Sequence, residues 1–179
     1  MASTATMSGV QFDALPYEEG RRWELVEGEL VEVGSPTPTH QLVVQRLLVS
    51  LVLYFRQHGG GCVLSDVEFA LSDANRVRPD VLVLLGERAA RLDRSRVPVP
   101  GSPDIAVEVI SPSERTSESM RKVETYSRHG VREVWQVFPS LRQVVVYATR
   151  ESRRLGASET LSTALLPEFV IPVSSLFED

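Results

Sequence analysis

Lysine is nearly missing from this chain: among 179 residues, eighteen arginines stand against a single lysine, Lys122. Arginine serves at almost any solvated surface position, but its broad, permanently charged fork cannot imitate a compact ammonium touching one oxygen. The retained lysine therefore has either a specific chemical task or no task at all, as the remnant of compositional drift. Cysteine is as scarce. Cys62 alone excludes an internal disulfide framework, fits a reducing compartment, and beside apolar Val63 reads as an ordinary strand thiol. No stretch approaches the ~18 consecutive apolar residues of a membrane span. Met1 to Val10 lacks both the basic patch and the apolar stretch of a signal peptide, so a cytoplasmic, soluble protein is expected. Positive charge is also short. A net charge of −5 argues against a surface that coats nucleic acid non-specifically, because such binding rests on neutralising phosphates with Lys and Arg.

What is present suits one compact α/β domain with a full core, given 42% hydrophobic residues. Residues 1–10, rich in Ser, Thr and Ala, read as a disordered leader, and 11–179 as the single domain. Trp23 to Val33 reads as a hairpin turning at Glu27-Gly28. Thr37-Pro38 opens a helix to about Gln57, apolar almost all the way round, which is buried centrally or shared with a second copy in a homodimer. Cys62 to Leu71, a turn at residues 72–75, and Arg76 to Leu85 read as a hairpin feeding a buried strand. Gly86 to Gly101 reads as a long loop carrying Arg88, Arg91, Arg94 and Arg96. Asp104 to Ile110 is apolar on both faces, as in a sheet covered on both sides. Ser111-Pro112-Ser113 opens a helix to about His129, Gly130 stops it, and strands at 133–138, 143–148 and 169–173 follow.

Two acids are embedded in apolar strands. Asp80 follows Pro79 and begins Val81 to Leu85, while Glu108 sits inside Ala106 to Ile110, where an unpaired charge is costly. If the two lie on neighbouring strands with oxygens ~4–6 Å apart, their repulsion at an effective dielectric of ~20 is several kcal/mol. A shared proton or a bound cation resolves that conflict, and two carboxylates with water and phosphate oxygens suit Mg²⁺ or Mn²⁺. Asp104 repeats the Pro-Asp dipeptide, but four strand residues set it ~13 Å from Glu108, too far for one ion. It more naturally ends the strand or binds a turn amide. Glu118, Lys122 and Tyr126 share one helical face, so Lys122 either pairs with Glu118 on the surface or reaches the acids. Gly59-Gly60-Gly61 lacks a phosphate-loop lysine, and Cys62 with three scattered histidines forms no zinc set or triad.

Taken together, Trp23 to Glu29, Ser35 to His40, Arg78-Pro79-Asp80, Val107 to Ser113, Lys122 to Tyr126 and Gly130 to Trp135 resemble the Uma-type restriction-endonuclease family of the PD-(D/E)XK superfamily. The likeness runs from about Arg22 to Phe177. It implies a restriction-endonuclease-like fold, a mixed β-sheet flanked by helices with an N-terminal β-hairpin, and metal-dependent hydrolysis of DNA phosphodiesters. By that resemblance Asp80 and Glu108 fall on the metal-binding acids and Lys122 on the catalytic lysine, carried on the helix. The usual strand position for that lysine holds Ile110. Glu118 stands where the family usually has Asp, and Glu168 where Gly often follows Pro. Glu24 and His40 match further family positions: Glu24 is a third ligand or a solvent-facing strand acid, His40 a phosphate contact or a packing residue. A nucleic-acid-binding or assembly domain without catalysis, and a hydrolase for a small phosphorylated molecule, stay open as alternatives.

Overall fold

The computed structural model describes residues 6–112, 114–149 and 151–178. The first five residues of the expected leader, and Ser113 of the Ser-Pro-Ser motif, lie outside the described residues. From Ser8, whose hydroxyl and Gln11 form a reciprocal capping box, the chain enters a short helix, α1 (Gly9–Asp13). A hairpin follows, β1 (Arg22–Val26) and β2 (Glu29–Val33), turning at Glu27 and Gly28, both with positive φ (53° and 78°). That left-handed pair is what a two-residue hairpin turn requires, and glycine supplies half of it without strain. Thr37 then accepts the His40 amide and caps α2 (Pro38–His58).

The middle of the chain is β3 (Gly61–Ser65), β4 (Phe69–Ser72), β5 (Asn75–Val77), β6 (Val81–Leu85), a short helix α3 (Gly86–Ala90), β7 (Val99–Pro100) and β8 (Ile105–Val109). Helix α4 (Thr116–Arg128) leads to β9 (Glu133–Phe138), a 3-10 turn at Pro139–Leu141, and β10 (Gln143–Ala148). Strands β11 (Ser152–Leu155), β12 (Thr160–Thr163) and β13 (Leu166–Pro172) follow, and a 3-10 turn at Val173–Leu176 comes after them. The expected hairpin over residues 62–85 divides between two sheets. β4 and β5 pair across Asp73-Ala74, whereas β3 pairs with β6 in a different sheet. The expected loop 86–101 contains α3 and β7, and residues 152–163 hold two strands too short and polar to show in the pattern.

The central sheet is mixed, in the order β11-β10-β9-β8-β6-β3, with β8 and β9 parallel and the other neighbours antiparallel. A second sheet runs β2-β1-β5-β4-β7, and β12 and β13 pair by themselves. Period-two alternation sends Val81, Val83, Ile105, Val107 and Val109 into one core with α2 and the β13 region. Leu82, Leu84 and Ala106 go to the opposite core, with Val123 and Tyr126 of α4 and Phe69 of the second sheet. The sheet is therefore covered on both faces, as the apolar strands anticipate. Burial of α2 is one-sided: Val43, Leu47 and Leu51 are buried, while Leu42, Val49 and Leu53 are exposed.

Two devices fix α4 against the hairpin. Arg121 donates to the Val26 carbonyl at 2.8 Å and pairs with Glu27 and Glu29; Arg128 pairs with Glu27 as well. The turn carboxylate is thus a fastening point for one side of α4, and Lys122 lies on the next position round.

Candidate active site

β6 and β8 run antiparallel with Val81 opposite Val107, and extending that register by one residue sets Asp80 against Glu108. Directly opposed residues hold their Cβ atoms ~4.5–5.5 Å apart, so adjacency of the strands brings two sequence-distant acids together. Alternation turns Glu108 towards α4, the same side as Ala106. There Lys122 Nζ lies 3.1 Å from Glu108 Oε2, and the Tyr126 hydroxyl donates to Glu108 Oε1 at 2.6 Å. Asp80 Oδ2 accepts the Val109 amide at 2.7 Å and lies 3.1 Å from His40 Nε2, which arrives from the capped first turn of α2. Asp80, Glu108, Lys122 and His40 thus converge from four elements of the chain.

Glu24 is buried. Its Oε1 accepts the Arg78 amide at 2.8 Å, two residues before Asp80, and its Oε2 lies 2.8 Å from Lys122 Nζ. Lys122 consequently bridges Glu24 and Glu108, and the surface alternative for it does not form; Glu118 instead faces Arg115 at 3.6 Å. Asp104 lies at the other end of β8, where Oδ2 accepts the Leu85 amide at 2.8 Å and Oδ1 lies 3.5 Å from Arg88. Arg88 also donates to Pro103 O and Gly130 O, so this arginine ties a loop at the end of the sheet away from Asp80.

Two carboxylates, Glu24 and Glu108, share one ammonium with Asp80 close by, and the electrostatics follow. Burial pushes the Glu108 carboxyl up to about 8; Lys122 pulls it down, the charges of Asp80 and Glu24 raise it, and the Tyr126 bond lowers it. Burial works against the Lys122 ammonium, but Glu108 and Glu24 outweigh it and hold its pKa above the ordinary lysine value. Burial and the Glu108 charge push the Tyr126 phenol well up, so it stays a donor. No strand or helix period marks Glu114 in the sequence, because it lies in the turn after β8. It lines the same cleft, and burial raises its carboxyl, with Lys122 opposing and Asp80 and Glu24 adding. The cleft, about 660 Å³, is bounded by Arg22, Glu24, His40, Asp80, Glu108 and Lys122 among others. Among the described residues no three His, Cys, Asp or Glu side chains stand at common metal-ligand spacing. Of the acids lining the cleft, Asp80 and Glu108 lie opposite each other at the strand ends, Glu24 and Glu108 are both engaged by Lys122, and Glu114 stands in the turn after β8.

The Uma2 family, described as "Putative restriction endonuclease", matches residues 10–174. The chain belongs to the Uma2 family. This membership makes it a nuclease-like protein. The fold is similar to that of a "putative nuclease" belonging to DUF820 from Anabaena variabilis ATCC 29413, with a TM-score of 0.83 and 18% identity over 96% of this chain and 97% of that one. The mixed sheet flanked by helices expected from the sequence is the fold the two share. A DrdV-DNA complex aligns at a TM-score of 0.38 and 16% identity, over 64% of this Uma2 chain and 12% of the other, and carries no weight. Comparison with curated proteins returns no significant match.

Proposed function

We propose that the chain is a metal-dependent endonuclease hydrolysing phosphodiester bonds of DNA, with Mg²⁺ or Mn²⁺ as cofactor. One observation carries the reading: Asp80 and Glu108 face each other across β6 and β8 in a cleft, with Lys122 3.1 Å from Glu108. The donor set fits a hard divalent cation, because three carboxylates against one ammonium leave unbalanced negative charge and all the donors are oxygens. Asp80 and Glu108 would hold the ion. Such an ion, when bound, supplies a water of lowered pKa and charge to offset the phosphate as it is attacked.

The chain's own groups do the rest. His40 and the Val109 amide keep Asp80 Oδ2 oriented. Glu24 anchors the Lys122 ammonium, so that Nζ stays in the cleft and can donate to a non-bridging phosphate oxygen as charge builds there. Glu24 also fixes the Arg78 amide, which sets the approach of the Pro79-Asp80 segment. In this reading Glu24 and His40 position the groups that act.

A second reading is a nucleic-acid-binding or assembly domain that does not cut, and the charge of the cleft wall favours its assembly form. Arg22 pairs with Asp66, Arg78 with Glu68 and Arg121 with Glu27, which leaves those guanidinium groups less available to phosphates. Incubating plasmid DNA with the purified protein and Mn²⁺ separates the two. Nicking by the wild type that disappears in Asp80→Ala, Glu108→Ala and Lys122→Ala, each still folded, is expected. Undiminished nicking in all three would refute the assignment, and no nicking by the wild type favours the second reading.

A further inference from the structure

We propose that Tyr126 is a positioning residue that presets the Glu108 carboxylate to receive a divalent cation, an inference that rests on the nuclease reading. The phenol ring is wholly buried, in the cluster containing Val26, Val123, Val131 and Val134, so it has no freedom to wander. Its hydroxyl is 2.6 Å from Glu108 Oε1, while Lys122, one turn earlier on α4, is 3.1 Å from Oε2. Both oxygens of one carboxylate are therefore held from one helical face.

The two donors differ in kind. The ammonium ends a flexible four-carbon stem and is shared with Glu24 at 2.8 Å, so it cannot define how the Glu108 carboxylate is rotated. The terminal torsion of a glutamate is broad and needs an outside contact to fix it. A phenol on a short, packed stem supplies that contact. It consumes one acceptor direction on Oε1, and a carboxylate offers about four in all, so capacity for a cation is left. Were packing the only demand at this position, phenylalanine would meet it, and Oε1 would sit in an apolar core without its donor. Orientation of a metal-binding carboxylate by a hydrogen-bonded neighbour characteristically changes metal affinity by ~10–100-fold.

The test uses Tyr126→Phe, which keeps the ring and removes only the hydroxyl, with Mn²⁺ alone as the probe and no nucleic acid. Binding is followed by electron paramagnetic resonance of free Mn²⁺, and folding by circular dichroism on the same samples. A folded variant should bind Mn²⁺ ~10–100-fold more weakly. Tyr147→Phe, whose hydroxyl contacts Met120 Sδ at 3.5 Å and not the acids, should bind as the wild type does. In the nicking assay the Mn²⁺ concentration for half-maximal rate should rise in Tyr126→Phe, with the rate restored at saturating Mn²⁺; a loss that saturation does not restore counts against positioning. Mn²⁺ affinity within about twofold of wild type would reduce Tyr126 to a core residue while leaving the nuclease reading intact. If the wild type itself takes up no Mn²⁺, both fall together.

Discussion

Replacing Lys122 with methionine is the most informative perturbation of stability, because it removes the cation that bridges two buried carboxylates. Lys122 is 16% exposed and Glu24 4%, with contacts of 2.8 Å to Glu24 and 3.1 Å to Glu108. Removing one partner of a buried pair typically costs ~3–5 kcal/mol, since the other charge stays behind uncompensated; partial exposure of the lysine places the expectation near ~3 kcal/mol. The cost should depend on pH. Glu108 already titrates at about 8 in the folded protein, above the ordinary glutamate value of 4.5, and loss of the ammonium that lowers it moves it higher. An acid whose folded pKa is raised contributes stability that is fully present below its unfolded pKa and is lost as pH climbs through the folded one. The deficit of Lys122→Met should therefore be smaller near pH 5, where Glu108 carries its proton, and complete above pH 9. Urea unfolding at pH 5, 7 and 9, compared with wild type and with Lys122→Met/Glu108→Gln, measures it, and the double variant should recover part of the loss at high pH. A deficit that is the same at all three pH values, or below ~1 kcal/mol throughout, would mean that the lysine is not the counter-ion of these acids.

The same titration bears on the cofactor: Mn²⁺ should bind more tightly as pH rises towards 8, because the cation displaces the Glu108 proton, and calorimetry in buffers of different ionisation enthalpy should detect proton release below that pH. Glu108→Gln, which removes the raised acid, should be more stable than wild type at pH 9 in the absence of metal, a gain read as a higher Tm; a lower Tm would contradict the burial argument. Gly61→Ala should destabilise by ~1–3 kcal/mol, as an added Cβ would lie 2.5 Å from the Leu84 carbonyl and 2.6 Å from the Phe55 ring, and denaturant unfolding checks it. If the exposed Leu42, Val49 and Leu53 of α2 form a homodimer contact, sedimentation equilibrium should show a dimer that Leu53→Glu dissociates.

Local rules reach far into this molecule. The positive-φ pair Glu27-Gly28, the Thr37-Pro38 helix start and the two apolar strands are consequences of turn chemistry, capping and period-two burial, and each is written in contiguous residues. The same rules place Lys122 and Tyr126 on one helical face and leave Asp80 and Glu108 as acids in apolar surroundings. They fail where the signal is short or distributed. β11 and β12 have four residues each and mixed polarity, and no local pattern says that β3 leaves its neighbours to pair with β6. Glu114 sits in a turn with no period to mark it.

A lone lysine, an acid in each of two apolar strands and a histidine after a helix cap are properties of the chain as written, since propensity and periodicity act over a few residues. Which groups meet is a property of the folded molecule, because contact depends on strand order and on how α4 is fastened to the hairpin. Lys122 thus takes Glu24, ninety-eight positions earlier (122 − 24), in preference to Glu118 on its own helix. His40 reaches Asp80 and the Tyr126 hydroxyl reaches Glu108 for the same reason: the sheet brings their elements together at one end, where burial makes every charge seek a partner.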